Sequence, residues 1–264
     1  QRNLDLETLQ IGFNGGQFHH GARKDETLIH NCLAVGLLSP AGTNSRTGGQ
    51  AYKPFGNKGI VFPLKNKENQ IVSLYFRSIL TPTLSKGEGE IGKHFYLKNR
   101  SGLYPNYPKS TTTKLILTEA IIDAASLLQI KEIAENYSLL ACYGTNGLNE
   151  EIQNAIKEWA EAPSPSGRVG EGKEIIFAFD NDDAGNEAVN KYGSMFLNEY
   201  PNLKISSVEV IGKDVNETLQ LHEPEIFTEL LEKRKPFLFC SASSLSLGSI
   251  EEKTTKINIK KPTE

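Results

Sequence analysis

The chain has 264 residues, of which 38% are hydrophobic and 23% charged, proportions typical of a globular protein. No apolar run approaches the about 18 residues that cross a bilayer, and the N-terminus has no targeting pattern, so we expect no membrane segment and a cytoplasmic location. The net charge of −3 argues against a nucleic-acid coat protein but leaves room for a local basic groove.

Cysteine and histidine spacing excludes several kinds of site. Cys32, Cys142 and Cys240 lie far apart without a Cys-x-x-Cys pair, which excludes both a zinc ribbon and a disulfide framework. The adjacent pair His19-His20 points to opposite sides in an extended segment, so a surface pair is favoured over a metal site. No Gly-x-x-x-x-Gly-Lys-Ser/Thr motif is present, so the sequence given encodes no helicase-type nucleotide loop.

Residues 1–110 are rich in Gly, Asn, Lys and Thr and contain short β-like runs. Residues 27–37 predict a short helix, and residues 59–64 and 71–77 predict a hairpin around a polar turn. Mobile, Gly-rich loops are expected at residues 43–50 and 83–92. This half is therefore expected to be a small mixed α+β subdomain.

Residues 111–235 alternate apolar strand-like runs with helical patterns, which predicts a parallel sheet with right-handed crossovers. Strands are expected at residues 114–118, 138–143, 174–179 and 204–211, and helices at 121–135, 149–161, 183–199 and after 215 and 224. The boundary between the halves falls near residues 108–111, and an exposed loop is expected at residues 163–172. Residues 236–264 are expected to be a disordered tail or a linker.

An Asp-x-Asp motif ends the apolar run that precedes Asp180 and Asp182. Residues two apart in an extended segment project to the same side, so both carboxylates can face one cation. Oxygen ligands without nearby His or Cys favour Mg²⁺ or Mn²⁺ over zinc. The alternative is that these acids cap the following helix, but crowded acids repel one another unless a cation neutralises them, which favours the metal site.

A second acidic motif follows the strand at residues 114–118. Glu119 comes directly after this strand and Asp123 lies one helical turn further, so both carboxylates can face the same crevice. Helix capping by Glu119 and a solvated Asp123 explain this segment equally well when it is taken alone. The strand-end Glu and the strand-end Asp-x-Asp support each other, because ligands of open α/β sheets collect at the carboxyl ends of the strands.

This combination resembles the TOPRIM domain of bacterial primases, topoisomerases and some nucleases. The matching residues are Glu119, Asp123, Asp180 and Asp182, and Tyr143 to Leu148 is similar to the family's Gly-Thr turn. The resemblance implies a Rossmann-like parallel sheet with flanking helices. It also implies that Glu119 and the Asp pair hold magnesium, with Asp123 as a further ligand, and that Glu119 acts in proton transfer.

The resemblance extends to the polymerase core of bacterial, phage and mobile-element primases. The hairpin that ends in Arg77 and the segment from His94 to Asn99 are similar to parts of that core. Gly212 to Glu217 resembles its last metal-site motif and implies Asp214 as a ligand. Chromosomal enzymes usually have a second Asp at the position of Asn216, and Asn is closer to phage and mobile-element primases.

Nucleic-acid contacts are expected from the first half of the chain. Phe95 and Tyr96 are candidate stacking surfaces for unpaired bases, with a core position as the alternative. The basic candidates for template or nucleotide binding, each with a solvated charge as the alternative, are Arg77, Lys93, Lys98 and Arg100.

The function implied by the resemblance is magnesium-dependent synthesis of RNA primers on single-stranded DNA from ribonucleoside triphosphates. Because no zinc-binding module is encoded, we expect a fragment or a stand-alone core that works with a replicative helicase or further domains. The alternatives are a TOPRIM nuclease that uses the same carboxylates to activate water, and an inactive nucleic-acid-binding module. The primase-like first half favours the primase.

Overall fold

A computed structural model describes residues 3–18, 24–79, 94–144, 147–163 and 172–237. The helices of these ranges are α1 (Glu26–Ala34), α2 (Ile121–Leu128), α3 (Lys131–Asn136), α4 (Glu150–Glu161), α5 (Asp183–Glu199), α6 (Val215–Leu221) and α7 (Glu225–Glu232). The strands are β1 (Gly12–Asn14), β2 (Leu38–Thr43), β3 (Gln50–Pro54), β4 (Gly59–Lys65), β5 (Ile71–Ser78), β6 (His94–Tyr96), β7 (Lys114–Thr118), β8 (Ser138–Ala141), β9 (Glu174–Ala178), β10 (Lys204–Ser207) and β11 (Lys235–Pro236).

The second half of the chain forms a five-stranded sheet in the order β11-β10-β9-β7-β8. Strands β10, β9, β7 and β8 run parallel, and only β11 pairs antiparallel. The predicted α/β architecture with a parallel sheet is therefore confirmed. None of the helices in the described ranges combines the length and apolar character that a bilayer crossing requires.

Alternate side chains of each central strand pack into two different hydrophobic cores, one on each face of the sheet. In β7, Leu115 and Leu117 face the core that contains α4 and α5, whereas Ile116 faces the core that contains α2, α3 and α7. Strand β9 divides its side chains in the same way, with Ile175 and Phe177 on one face and Ile176 on the other. Because both faces are covered by helices, these strands read as continuous apolar runs in the sequence.

The chain reverses its direction of travel across the sheet between β7 and β9. From β7 the chain moves outward to β8, and it then returns to place β9 on the other side of β7. Strands β7 and β9 are thus direct neighbours, with Thr118 level with Ala178. In open α/β sheets, such a switch point opens a crevice at the carboxyl ends of the two strands, where ligands bind.

The first half forms an antiparallel sheet in the order β1-β4-β5-β6. One face of this sheet, with Phe62 and Tyr75, packs directly on Ile121 and Ala125 of α2 in a shared core. The hairpin of β4 and β5 was predicted within one residue at each end. The smaller sheet therefore rests on the helix that follows β7, next to the switch point.

A single buried segment connects the two sheets. Lys65 and Leu103 exchange two backbone hydrogen bonds, and the carbonyl of Tyr104 accepts a hydrogen bond from the N–H of Ala141 in β8. The residues immediately before the predicted boundary at 108–111 are thus paired with both halves. The domain limits 1–110 and 111–235 stay predictions.

Several predicted elements differ from the structure. The helix expected over residues 121–135 is two helices, because the chain turns at Gln129, whose side chain bonds the backbone of Asn3 and Asp5. Strands β8 and β10 are shorter than predicted. The tail predicted at 236–264 begins later than expected, because Pro236 pairs with Ser206 in β11 and the N–H of Phe237 donates to the carbonyl of Ile205. The rest of that tail, the loop predicted at 83–92 and the His19-His20 pair lie outside the described residues, as does most of the loop predicted at 163–172.

The loop predicted at residues 43–50 is only partly correct. Thr43 and Gln50 are paired ends of strands β2 and β3, and the turn between them is closed by hydrogen bonds between Asn44 and the N–H groups of Arg46 and Gly48. Most side chains of β2 and β3 are exposed, so the sequence carries no alternation that would reveal them.

Candidate metal centre at the sheet switch point

Glu119 and Asp180 leave the sheet side by side. Glu119 is the first residue after β7, and Asp180 is the second residue after β9. Since β7 and β9 are parallel neighbours in register, both acids lie at the same edge of the sheet, on the two sides of the switch point. The structure thus brings together the two acidic motifs that the sequence singled out.

Asp182 and Asp214 occupy equivalent positions one strand apart. Each is the N-cap of the helix that follows its strand, and Oδ1 of each carboxylate accepts a backbone N–H, from Gly185 at 2.8 Å and from Glu217 at 2.7 Å. The helix-capping role is therefore real for both acids. It uses one oxygen of each carboxylate and fixes the side chain at the helix start.

The two Asp-bearing loops are joined through Asn181, the central residue of the Asp-x-Asp motif. Its N–H donates to the carbonyl of Lys213 at 2.8 Å, and its side-chain amide donates to the carbonyl of Val210 at 3.3 Å. Glycine at position 185 permits the first turn of α5 to lie on this loop, because a Cβ there would be 2.1 Å from the carbonyl oxygen of Asp180. These contacts hold Asp180, Asp182 and Asp214 near one another.

The acids of the crevice perturb one another electrostatically. Burial, and then the charges of Asp180 and Asp182, raises the pKa of Glu119 to about 7. Burial, and then the charge of Asp214, raises the pKa of Asp180 to about 6. The carboxylates are thus held close enough that each opposes the ionisation of its neighbour.

A divalent cation fits the chemistry of these residues. In the described ranges, no three His, Cys, Asp or Glu side chains already have the arrangement of a closed metal-binding cluster. Oε2 of Glu119, however, is buried without a hydrogen-bond partner, which is costly for a carboxylate oxygen. A cation would satisfy this oxygen and remove the mutual repulsion, and donors that are all oxygen suit Mg²⁺ or Mn²⁺.

Asp123 has different surroundings from the other predicted ligands. It is 3% exposed, and its two oxygens accept the N–H groups of Asn216 at 3.0 Å and Ala120 at 3.3 Å. Burial, and then the charge of Asp214, raises its pKa to about 8. The alternative of a solvated Asp123 is wrong, because the carboxylate ties α2 to the start of α6. Its role as a metal ligand stays a prediction.

Asn216 points into the protein rather than along the crevice. It is 2% exposed, its Nδ2 donates to Ser126 Oγ at 2.7 Å, and its Oδ1 accepts from Gln220 at 2.6 Å. An amide at this position thus completes the polar contacts between α2 and α6.

The basic residues predicted to contact nucleic acid lie on the smaller sheet and just after it. Arg77 at the end of β5 is hydrogen-bonded to His94, its cross-strand partner on β6. The guanidinium of Arg100 lies over the ring of Tyr96, 3.8 Å from its centroid. Lys98 is exposed, and Lys93 lies outside the described residues.

An aromatic contact connects this surface to the acidic crevice. The ring of Tyr96 meets that of Tyr143 at a centroid distance of 5.9 Å, and the next residue, Gly144, donates its N–H to the carbonyl of Glu119 at 2.8 Å. Phe95 projects to the other face of β6 and packs edge-on against Phe55, 6.2 Å between centroids. Tyr96 therefore packs against the core between the smaller sheet and α2 and contacts the turn that is bonded to Glu119, whereas Phe95 packs on the other face of the sheet.

Sequence reasoning missed two residues of the site. Asn181 joins the two acidic loops. The positive charge of Lys213 lowers the pKa of Glu119 and of Asp180, although burial and neighbouring acids raise both pKa values by more. The only available signal was their position inside the two acidic motifs, because a lone Asn or Lys in a loop has no pattern of its own.

Comparison with known proteins places the fold. Residues 116–219 match the Toprim-like family model. The structure superposes on the Aquifex aeolicus primase (zinc-binding and RNA polymerase domains) with a TM-score of 0.63 and 17% identity, covering 89% of this chain and 54% of that one. No curated protein matches the chain.

Two other solved structures give the same result. A DNA primase domain from Pseudomonas aeruginosa matches with a TM-score of 0.62 and 18% identity, over 89% of this chain and 70% of that chain. The DnaG primase catalytic domain bound to single-stranded DNA matches with a TM-score of 0.60 and 17% identity, over 89% and 69%. At this level of identity the likeness establishes the fold, which includes the smaller sheet as well as the Toprim-like region.

Proposed function

We propose that this chain, which carries a Toprim-like region within the fold of bacterial primase catalytic cores, synthesises RNA primers on single-stranded DNA. The observation that carries the proposal is the convergence of Glu119 and Asp180 at the β7–β9 switch point, with Glu119 Oε2 buried and unpartnered. Asp182 and Asp214 extend this acidic edge over the next strand.

The carboxylates would act by holding cations and reactants in place. Bound Mg²⁺ would neutralise the charge of the triphosphate and activate the reacting oxygens as a Lewis acid. Asp180, Asp182 and Glu119 would hold it, with Asp214 as a further ligand. Glu119, whose pKa of about 7 lies near neutral pH, is suited to accept the proton of the attacking 3′-hydroxyl.

The smaller sheet would hold the template and the nucleotide. Arg77 is fixed by His94, and Arg100 is stacked on Tyr96, so both guanidinium groups start from defined positions on the smaller sheet and just after it. The ring of Tyr96 is covered by Arg100 and packed against Tyr143, so Tyr96 would act by holding Arg100 in place. Lys98 would add a phosphate contact, and Lys93 remains a sequence-based candidate.

The presence of the smaller sheet favours a primase over a TOPRIM nuclease. A nuclease needs the acidic edge alone, whereas the match to primase cores covers 89% of this chain, including that sheet. Because template and ribonucleoside triphosphates are cytoplasmic, we expect the protein to act in the cytoplasm. A replicative helicase or further domains, and a mobile-element origin, belong to the same proposal.

The proposal is tested by Asp180→Asn. This variant keeps the size of the side chain but removes a charge from the crevice, so primer synthesis with Mg²⁺ on a single-stranded template should fall at least about 100-fold. Asp183→Asn is the matched control, because Asp183 is exposed in the first turn of α5 and should leave synthesis near the wild-type rate.

Degradation of the template is measured in the same reactions. If wild-type protein cleaves the template and makes no primer, the primase proposal is rejected in favour of the nuclease. Full primer synthesis by Asp180→Asn, with an unchanged circular dichroism spectrum, would contradict the site assignment itself.

A further inference from the structure

Lys213 stands at the lip of the acidic crevice, in the loop between β10 and α6. Its N–H donates to Oε2 of Glu217 at 2.5 Å, and its carbonyl accepts the N–H of Asn181 at 2.8 Å. Both peptide groups that flank its Cα are therefore tied, one to α6 and the other to the Asp-x-Asp loop. The root of the side chain is fixed even though the side chain is exposed.

Lys213 lies beside the acids, because it directly precedes Asp214 and its carbonyl is bonded to Asn181, the residue between Asp180 and Asp182. Its positive charge lowers the pKa of Glu119 and of Asp180, whereas burial and the neighbouring acids raise both pKa values. Among the described residues, nevertheless, none of the salt bridges within 4.0 Å involves Lys213. The exposed ammonium group is therefore available to a ligand.

The ligand that fits this position is an anion on the outer side of the cation-binding acids. A polyphosphate satisfies both requirements, because its oxygens can share a divalent cation with the carboxylates while its far end meets an ammonium group. Lysine suits this role, since it is a compact charge on a flexible stem that can follow a phosphate through a reaction.

We propose that Lys213 binds the β- and γ-phosphates of the incoming nucleoside triphosphate and retains them as pyrophosphate leaves. The inference rests on the proposed function and names a substrate-binding residue for it. Lys213 belongs to neither the acidic ligand set nor the basic residues of the smaller sheet.

The role of Lys213 in the reaction follows from the charges that move. The 3′-oxygen forms a bond to the α-phosphorus, its proton passes to a base of the site, and the bond from the α-phosphorus to the bridging oxygen of the β-phosphate breaks. The electron pair of that bond goes to pyrophosphate, which gains negative charge. An ammonium group beside the leaving phosphates stabilises this charge more in the transition state than in the bound triphosphate.

The test compares Lys213→Gln with Lys204→Gln in the full chain. Lys204 is also exposed and begins β10, the strand that leads to the Lys213 loop, but it lies at the amino end of the sheet, away from the acids. The first measurement is calorimetric binding of inorganic tripolyphosphate and of pyrophosphate with Mg²⁺. The second is the KM for nucleoside triphosphates and the kcat of primer synthesis.

Lys213→Gln should weaken tripolyphosphate binding about tenfold, the loss expected for one charge-assisted contact. It should raise KM and lower kcat, because the contact strengthens as pyrophosphate forms, and Lys213→Arg should restore part of both. Lys204→Gln should match wild type. Binding of Mn²⁺ alone should not weaken in Lys213→Gln, since removal of a positive charge does not oppose a cation.

The outcomes separate this inference from the proposed function. Lys213-dependent tripolyphosphate binding by a wild-type protein that makes no primers would support the inference and reject primer synthesis. Active wild type with Lys213→Gln indistinguishable from it in both measurements would overturn the inference. Equal loss in Lys213→Gln and Lys204→Gln would also overturn it, because the effect would then reflect general charge.

Discussion

The five-stranded sheet and the unit formed by α1, β2 and β3 are packed in opposite ways. Every residue of β8 and β9 is buried, and so is every residue of β7 except its first. By contrast, α1 has no buried residue, and Leu38 is the one buried residue of β2 and β3. Glu119 and Asp180 follow two of these buried strands.

The dense packing of the five-stranded sheet matches the demands of the metal site in the proposed reaction. Carboxylates that share a cation must keep their positions within fractions of an ångström, which a strand packed on both faces can enforce. The protein thus separates a rigid chemical edge from a loosely packed unit on the opposite half of the chain.

The largest expected effect comes from making the same substitution in each region. Leu127 of α2 is 0% exposed, whereas Leu28 of α1 is 39% exposed. Leu127→Ala should lower the free energy of unfolding by about 3 kcal/mol, because it leaves a cavity between α2 and the sheet. Leu28→Ala should cost less than about 1 kcal/mol.

Denaturant unfolding of both variants measures this difference. If Leu28→Ala were as destabilising as Leu127→Ala, the α1 unit would contribute to the global core, and the comparison between the two regions would fail. Circular dichroism before unfolding serves as the control that both variants are folded.

A smaller effect is expected from pH in the absence of metal. The pKa of Glu119 is raised from 4.5 to about 7 in the folded protein, so its contribution to stability is complete below pH 4.5 and is lost as pH rises through 7. Glu119→Gln removes this dependence. Between pH 5 and pH 8, the free energy of unfolding of the variant should rise relative to that of wild type by on the order of 1 kcal/mol, after allowance for solvent screening of a half-exposed group.

Unfolding at the two pH values with a chelator tests this, with the exposed Glu187→Gln as the matched control. Addition of Mg²⁺ at pH 8 should stabilise wild type more than Glu119→Gln, which lacks one of the proposed ligands. Parallel stability curves for wild type and Glu119→Gln across this range would show that burial and the neighbouring acids do not raise the pKa of Glu119.

The smallest expected effect concerns the link between the two acidic loops. Asn181→Ala removes the side-chain hydrogen bond to Val210 but retains the backbone bond to Lys213, so the loops should remain in place with more freedom. We expect Mn²⁺ affinity to fall about threefold to tenfold, the equivalent of one lost hydrogen bond. Asn198→Ala at the exposed end of α5 is the control, and equal Mn²⁺ affinities in both variants would remove Asn181 from the site.

Regions with strong periodicity were predicted well from the sequence. Strand β7 and helix α5 have the predicted bounds. Helix α4 begins at Glu150, one residue after the predicted start, because Asn149 is its N-cap. Strands β2 and β3 were missed, because their side chains are largely exposed and leave no alternation. Glu119, Asp180 and Asp182 were singled out because they are acids that follow apolar runs, and Asp214 was singled out only through the resemblance of its motif to primases. Asn181 and Lys213 carry no such signal.

The sequence by itself determined which residues form the parallel sheet and which acids follow its strands, because buried strands require continuous apolar runs and leave the polar residues at their ends. Only the tertiary structure decided that β9 lies beside β7, which brings Asp180 to Glu119. It also decided that Asp123 turns inward to Asn216 and that Lys213 reaches the crevice. These outcomes depend on strand order and loop contacts between residues distant in the chain, which no local pattern encodes.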